Sequence, residues 1–291
     1  MRFWITGGAG FLGKRLAAAL SRNNHQVLSL SRRLSSETNE SVSIDLAREK
    51  EKLNSLTDQY GAPDVVIHAA SRQPGRYTLP EFVRGNVLTT VSLIEILKSS
   101  PPAQIIYTST LSVYPKSSQL PFTEAHPASS ALPYAATKRW AEQLLETFTA
   151  SQVTVLRLPS LYGAGQGDSF IDGLARLAQR DEDLELFSRG TVIRDALHVS
   201  DVIGAIHACI DKPPGEEFCL MNLGTGRAIS TLEYAEALVE AFGSNSRIVL
   251  GDRVASQFDC YADIERARQV IGFRPTELRE SLRIYADELR A

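Results

Sequence analysis

The sequence is poor in sulfur-containing residues and has no long apolar run. It contains three cysteines and two methionines among 291 residues, and the cysteines form neither a CxxC pair nor a metal-site spacing. We therefore expect reduced thiols, no bound metal and a cytoplasmic location. No segment approaches the roughly 18 apolar residues that a membrane span requires. The first residues also lack the pattern of a signal peptide, so no membrane association is expected.

The charge balance is also unremarkable, with 31 basic against 34 acidic residues and a formal net charge of -3. Nucleic-acid binding and attachment to a membrane surface both favour a strong excess of one sign, so neither partner is expected. The sequence is 43% hydrophobic and 22% charged, which is typical of a globular protein. This length fits one large domain, or one domain with a smaller lobe.

Strand and helix patterns alternate through the first half of the sequence. Apolar stretches predict strands at 2–6, 26–30, 41–44, 64–68, 104–108 and 153–158. The intervening segments predict helices at 10–22, 46–59, 80–99 and 134–149. This alternation is typical of an α/β protein with a doubly wound parallel sheet. After residue 162 the rhythm breaks, with helices predicted at 230–242 and 263–271 in a mixed region.

A glycine loop follows the first strand, where residues 6–13 read TGGAGFLG. Gly8, Gly10 and Gly13 satisfy GxGxxG, and Gly7 begins a second spacing that also fits. Glycines there allow a tight turn and close approach of a pyrophosphate to the backbone, at the positive end of a helix. The loop predicts an NAD(P)-binding Rossmann domain over 1–162. The remainder, 163–291, is predicted as a smaller mixed α/β substrate lobe, of which about 191–212 packs back on the first domain.

The end of the second predicted strand bears on which dinucleotide binds. Rossmann domains that bind NAD carry an acidic residue near this point, to hold the ribose 2′-hydroxyl. Here the sequence has Ser31, Arg32 and Arg33, with no carboxylate. Paired arginines suit a 2′-phosphate, so NADP(H) is the preferred expectation. NAD(H) is the alternative, in which both arginines are solvated surface charges.

A tyrosine and a lysine four residues apart follow a strand that ends in hydroxyl side chains. Tyr134 and Lys138 share a helix face, and a lysine near the phenol would lower its pKa from about 10. Tyr134 could then act as an acid or base near neutral pH, with Thr110 orienting the reacting oxygen. The alternative is a chance spacing on a surface helix. In this context we predict Thr110, Tyr134 and Lys138 as catalytic residues.

These motifs together resemble the extended short-chain dehydrogenase/reductase family, in its NAD(P)-dependent epimerase/dehydratase branch that acts on nucleotide sugars. The resemblance covers nearly the whole sequence. It is carried by the segments at 6–13, 64–70, 107–110, 134–138, 156–163, 194–201, 221–226, 261–267 and 271–275.

The resemblance implies roles for individual residues. The implied cofactor contacts are Gly7, Gly10, Phe11, Leu12, Gly13, Ser31, Arg32, Arg33, Asp45, Leu46, Ala69, Ala70, Asn86, Tyr134, Lys138 and Pro159. The implied substrate contacts are Ser71, Thr110, Ser160, Arg194 and Arg253, of which the two arginines suit a diphosphate. The resemblance further implies a nucleotide-diphosphate sugar as substrate, and a homodimer formed through the helices at 80–99 and 134–149.

Departures from the branch narrow the expected reaction. Its dehydratases carry an Asp-Glu pair after the active hydroxyl, whereas Leu111 and Ser112 follow Thr110 here. Its decarboxylases have a nearby glutamate, and none stands between Thr110 and Tyr114. Epimerisation through a transient keto sugar is therefore the first expectation. The alternatives are NADPH-dependent reduction of a keto sugar or another ketone, and a cofactor-binding sensor or scaffold without catalytic activity.

Overall fold

The computed structural model of the chain describes residues 1–36, 40–75, 77–116, 119–167, 169–254 and 258–291. The strands are β1 Arg2–Thr6, β2 Gln26–Ser31, β3 Glu40–Ser43, β4 Val65–His68, β5 Gln104–Thr110, β6 Gln152–Leu158, β7 Ser160–Tyr162, β8 Leu184–Leu186, β9 Ile193–Arg194, β10 Ala196–His198, β11 Phe218–Asn222, β12 Ile229–Ser230 and β13 Ile248–Leu250. The α-helices are α1 Phe11–Arg22, α2 Lys50–Asn54, α3 Leu56–Tyr60, α4 Leu79–Phe82, α5 Thr89–Leu97, α6 Pro133–Glu146, α7 Phe170–Gln179, α8 Val199–Asp211, α9 Thr231–Phe242, α10 Glu265–Ile271 and α11 Leu278–Arg290. A π-helix spans Val83–Leu88, and 3₁₀ turns span Leu111–Val113 and Phe187–Gly190.

Seven strands form the main sheet, in the order β11-β6-β5-β4-β1-β2-β3. The chain begins at β1 inside the sheet, moves outward through β2 and β3, and then crosses to β4 on the other side of β1. Neighbouring strands from β3 to β5 pair in parallel. This topology confirms the predicted doubly wound α/β Rossmann fold. It also places the switch point, where ligands of such sheets bind, between the ends of β1 and β4.

The residues of the central strands explain why they are buried. All seven residues of β5 and all four of β4 are buried, as expected for parallel strands covered by helices on both faces. Val66 of β4 and Ile105 and Tyr107 of β5 belong to a large apolar core that also contains Trp4 and Leu93. The core therefore fixes the ends of these strands, and with them the positions of the polar groups that follow.

Two predicted helices differ from the structure. The segment at 46–59 forms two short helices, α2 and α3, that meet at Ser55. The Ser55 hydroxyl donates to the Lys52 carbonyl at 2.9 Å and accepts from the Gln59 amide at 2.9 Å. Such local bonds compete with regular helical hydrogen bonding. The segment at 80–99 is helical from Leu79 to Leu97, but its middle is the π-helix.

Contacts divide the chain into two units. The first contains Met1–Pro115, Pro127–Arg157 and Ile206–Met221, and the second contains Lys116–His126, Leu158–Ala205 and Asn222–Ala291. The division predicted at residue 162, with 191–212 returning to the first domain, stays a prediction.

The second unit has its own apolar core. This core includes Tyr162, Ile171, Tyr234, Leu238 and Leu282. Three two-stranded sheets, β7–β10, β9–β12 and β8–β13, lie in the same unit. Ser230 caps α9 through a capping box with Glu233, which gives this helix a sharp start.

A search of the described residues finds no helix that is both long enough and apolar enough to cross a bilayer.

Candidate functional site

The glycine loop joins β1 to α1 and packs against the chain that leaves β4. Gly7 has a φ of +72°, and a Cβ there would lie 2.8 Å from the backbone of Ala69 and Ala70. A Cβ on Gly13 would lie 2.2 Å from the Gly7 carbonyl oxygen. Glycine is therefore required at both positions. The close packing leaves the N-terminus of α1 directed at the switch point, an arrangement that fits a pyrophosphate.

Phe11 and Leu12 open α1 beyond Gly10, which lacks a side chain to cap the helix. Leu12 is buried, whereas Phe11 is half-buried, and its ring lies 4.4 Å from the Arg15 guanidinium. The first N–H groups of α1 are thus left for a ligand.

Ser31 ends β2, and both Arg32 and Arg33 are exposed. The Ser31 hydroxyl donates to the Arg33 carbonyl, and the Ser43 hydroxyl donates to the Arg32 carbonyl at 3.2 Å. Among the described residues, no carboxylate lies within 4.0 Å of either guanidinium. Both cations are therefore available to a phosphate, although exposure alone does not select one dinucleotide.

Asp45 and Leu46 follow β3. Leu46 is buried, and the Asp45 carboxylate accepts the Ala47 backbone N–H at 3.1 Å. At the end of β4, the Ala70 N–H donates to the Thr6 hydroxyl at 3.1 Å. These bonds fix the backbone on both sides of the switch point.

Thr110 and Tyr134 meet at the end of β5. Thr110 is the last residue of that strand, and its hydroxyl accepts the Ser112 N–H at 3.1 Å. Tyr134, in the first turn of α6, lies beside the side-chain hydroxyls of Thr110 and Ser71. Three hydroxyl groups therefore cluster at the point where the motif predicts proton transfer.

The expected pKa shift of Tyr134 is wrong for this structure. Desolvation raises the pKa of the phenol to about 12, although the neighbouring hydroxyls of Thr110 and Ser71 favour the phenolate. The Lys138 ammonium does not offset this burial, since it donates to the Thr108 carbonyl at 2.6 Å and lies 4.1 Å from the centre of the Tyr107 ring. Burial also lowers the pKa of Lys138 to about 7. Sequence spacing identified the shared helix face but not the direction of the lysine side chain.

Asn86 connects three segments around Tyr134. It lies in the π-helix and is buried, and its amide donates to the Thr137 hydroxyl at 2.9 Å. Its carbonyl oxygen accepts the Ser71 hydroxyl at 3.1 Å and the Arg72 N–H at 2.7 Å. A Cβ on Gly85 would lie 2.7 Å from the Arg72 Cβ, so the missing side chain allows this approach. Asn86 thus holds Ser71, which in turn contacts Tyr134.

His68 is a further buried polar residue that the sequence motifs did not single out. It ends β4, and its ring nitrogens contact Thr6 at 2.6 Å and Thr90 at 2.9 Å. Desolvation and the charge of Lys138 lower its pKa to about 3. The ring is therefore neutral at physiological pH and serves as a hydrogen-bonding bridge.

Sequence reasoning also missed a buried ion pair beneath α6. Glu142 and Arg157 are both almost fully buried, with 2.6 Å between Glu142 Oε2 and Arg157 Nη2. The Ser109 hydroxyl donates to Glu142, and Arg157 donates to the Tyr114 hydroxyl at 2.8 Å. Two sequence signals were present, namely a glutamate four residues after Lys138 and an arginine within an apolar strand.

The remaining predicted residues lie in the second unit. Pro159 and Ser160 are half-buried, and Ser160 begins β7. Arg194 ends β9, with its guanidinium 5.1 Å from the centre of the Phe170 ring. Arg253 follows β13, 5.1 Å from the Phe187 ring. The roles predicted for these four residues, and for the site residues of the first unit, remain predictions.

Comparison with known proteins connects this geometry to a family. The model of the NAD dependent epimerase/dehydratase family matches residues 3–224. The chain belongs to this family. The match confirms the resemblance inferred from the motifs, including its placement among extended short-chain dehydrogenases/reductases.

Individual known proteins match along nearly their whole length. UDP-glucuronate 4-epimerase of Thermodesulfobacterium geofontis is 28% identical, over 94% of this chain and 91% of that protein. The structure of MoeE5 in complex with UDP-glucuronic acid and NAD is 29% identical, with a TM-score of 0.85, covering 100% and 99% of the two chains. UDP-glucose 4-epimerase of Thermotoga maritima, with UDP-glucose, has a TM-score of 0.88 at 23% identity and 100% and 99% coverage, which shows the shared fold.

The family bears on the choice of dinucleotide. Family membership supports a nicotinamide dinucleotide as cofactor, and the MoeE5 complex contains NAD. The preference for NADP(H) that Arg32 and Arg33 predict has no support from these relatives.

Proposed function

We propose that this protein is a nucleotide-sugar epimerase that inverts C4 of a UDP-sugar. The observation that carries the proposal is the placement of the Tyr134 hydroxyl beside the hydroxyls of Thr110 and Ser71, at the end of β5. Relatives that match along nearly the whole chain include UDP-glucuronate 4-epimerase and UDP-glucose 4-epimerase. The reductase and the inactive sensor receive no comparable support.

The hydroxyl cluster has a specific task in this reaction. Oxidation of a sugar alcohol requires removal of the hydroxyl proton as the hydride leaves carbon. Tyr134, as its phenolate, is the group placed to take this proton and later return it. The neighbouring hydroxyls of Thr110 and Ser71 favour that form and orient the reacting oxygen. A bound nicotinamide would accept the hydride and return it. Inversion follows when the transient keto sugar presents its opposite face before reduction.

We propose NAD(H) as the cofactor, held by the glycine loop and the N-terminus of α1. The NADP(H) preference predicted from Arg32 and Arg33 is tested by titrating the apo protein with both dinucleotides. If the prediction is right, Arg32→Asp combined with Arg33→Ala weakens NADP(H) binding much more than NAD(H) binding. Equal effects on both dinucleotides would assign the arginines to the solvated surface.

We further propose that the protein forms a homodimer and is located in the cytoplasm. Leu88 and Trp140, from the π-helix and α6, are 43% and 44% exposed, as suits a face covered by a second copy. Sedimentation at increasing protein concentration tests this assembly, with Trp140→Asp expected to favour the monomer.

The described cysteines are free thiols, which agrees with a reducing compartment.

The central experiment supplies the purified protein with UDP-glucuronic acid or UDP-glucose in deuterated water, without added cofactor. The expected product is the 4-epimer with no deuterium at C4, because the hydride is returned rather than exchanged with solvent. Tyr134→Phe should reduce turnover by about 10²–10⁴-fold, the range typical of a lost acid–base group.

Tyr60→Phe is the matched control, since it removes a hydroxyl from a half-buried tyrosine at the end of α3. Its activity should equal that of the unmodified protein. In a separate assay that supplies NADPH and a keto sugar, net consumption of NADPH without formation of an epimer would establish the reductase instead. Tight dinucleotide binding with no turnover of either sugar nucleotide would contradict the proposal.

A further inference from the structure

Glu142 occupies an unusual position under the catalytic helix. It lies four residues after Lys138 and eight after Tyr134, so the three side chains follow one face of α6. Its side chain is fully buried. An ionised carboxylate in such a place requires strong partners, because desolvation of an unpaired charge is costly.

Two cations and one hydroxyl supply those partners. Arg157 donates to Glu142 through Nε at 3.0 Å and Nη2 at 2.6 Å, which is a two-bond contact of planar groups. Arg139 adds a bond of 3.0 Å, and Ser109 donates its hydroxyl. Burial lowers the pKa of Arg157, but Glu142 and Tyr114 more than compensate and leave it raised.

Ser109 connects this ion pair to the catalytic residues. It stands between Thr108, whose carbonyl accepts the Lys138 ammonium at 2.6 Å, and Thr110, whose side chain contacts Tyr134. Three consecutive residues of β5 therefore bind three consecutive turns of α6. Movement of Ser109 would displace the contacts of both catalytic side chains.

Electrostatic interactions also link Glu142 to the active site, through Lys138. The groups that face Lys138 are the Tyr107 ring and Thr108 carbonyl of β5, the His68 ring of β4, and Tyr134 and Glu142 of its own helix. His68 is neutral near pH 7, since its pKa is lowered to about 3. Burial lowers the pKa of Lys138 to about 7, and the charge of Glu142 opposes that shift.

We propose that Glu142 is a positioning residue of the active site: held by Arg157, it ties β5 to α6 through Ser109 and keeps Lys138 in its ammonium form. The inference rests on the proposed function only in taking Lys138 as part of the active site. Its direct readout therefore requires no turnover.

The experiment follows the lysine side chains by NMR in protein labelled with ¹³Cε-lysine, and Lys138→Met assigns the Lys138 signal by its absence. In the unmodified protein we expect a titration midpoint near the pKa of about 7. Glu142→Gln should lower this midpoint by roughly one pH unit, since it removes the favourable negative charge. Glu142→Asp keeps the negative charge, so its Lys138 midpoint should lie close to that of the unmodified protein.

Glu146→Gln is the matched control, because Glu146 is an exposed carboxylate one turn further along α6. It should leave the Lys138 midpoint unchanged. If Glu142→Gln does not fold, the double variant Glu142→Gln/Arg157→Met removes both buried charges and should give the same lowered midpoint. A folded Glu142→Gln protein, or its double variant, with an unaltered midpoint would overturn the proposal.

Activity provides the second readout. Turnover that depends on the ammonium is lost as pH rises through the pKa of Lys138, so this loss should occur at lower pH in Glu142→Gln. A merely structural role would lower turnover at every pH without moving the profile, and that outcome would also refute the assignment. If even the unmodified protein turns over no sugar nucleotide, the proposed function fails, whereas the NMR titration still decides the role of Glu142.

Discussion

Glu142 in the first unit and Asp195 in the second are both buried carboxylates, and the two are stabilised differently. In the first unit, Glu142 is held by the guanidinium groups of Arg157 and Arg139. In the second unit, Asp195 is 2% exposed and accepts the backbone N–H of Thr225 at 2.9 Å and that of Ala262 at 3.0 Å. Among the described residues, no cation lies within 4.0 Å of Asp195.

The partners determine how each buried site responds to protons. Around Glu142, the raised pKa of Arg157 keeps a cation in place at any physiological pH. Around Asp195, desolvation raises the pKa to about 6 even though three hydrogen bonds from Thr225 and Ala262 favour the ionised form. The guanidinium beside Glu142 therefore stays charged, whereas Asp195, which is held by neutral donors, titrates at a pH of about 6.

The largest expected effect comes from leaving the arginine without its partner. Glu142→Ala should lower the free energy of unfolding by about 3–5 kcal/mol, because Arg157 becomes an uncompensated buried charge. Urea denaturation measures the loss. Glu146→Ala, at the exposed carboxylate of the same helix, should stay within about 0.5 kcal/mol. A loss of unfolding free energy below 1 kcal/mol for Glu142→Ala would mean that the ion pair of Glu142 and Arg157 is not shielded from water.

The second prediction concerns pH and Asp195. Because its folded-state pKa of about 6 exceeds the ordinary value of 3.8, the folded protein retains a proton that the unfolded chain releases. The contribution of Asp195 to the free energy of unfolding is therefore greatest below about pH 4. This contribution falls by about 2–3 kcal/mol as pH rises through 6. Asp195→Asn removes this component, so the variant should gain stability relative to the unmodified protein between pH 4 and 8. Parallel stability curves for the two proteins would contradict the assignment.

The smallest effect should come from Arg139, whose side chain is 29% exposed, against 2% for Arg157. Solvent screens the more exposed pair, so Arg139→Ala should cost less than about 1 kcal/mol of unfolding free energy. The same urea measurement compares it with Glu142→Ala. Equal losses would show that both arginines, rather than Arg157 alone, neutralise the buried carboxylate.

Much of the first unit could be predicted because buried parallel strands have distinctive sequences. The apolar segment at 64–68 becomes β4, and the glycine loop follows β1 as its spacing indicates. The break at Ser55 was missed, since it arises from side-chain bonds that compete with the helix rather than from a helix-breaking residue.

The sequence could propose the candidate site residues as a set, but it could not predict their electrostatics. Spacing shows that Tyr134 and Lys138 share a helix face. It does not show that the Lys138 ammonium reaches the Thr108 carbonyl, or that burial raises the pKa of Tyr134 to about 12. These properties depend on how deeply the side chains are buried and on partners distant in sequence, such as Ser71.

The π-helix at Val83–Leu88 makes the spacing of this region unusually intolerant of length changes. A π-turn contains one more residue than the α-turn it replaces, so the segments before and after it are offset by about 100° around the helix axis. Deletion of a single residue between 83 and 88 would restore regular winding and turn Leu79–Phe82 away from its present direction, although every remaining side chain is retained. In alignments of distant relatives, a one-residue gap at this point would therefore signal a change in the support of Ser71 rather than harmless loop variation.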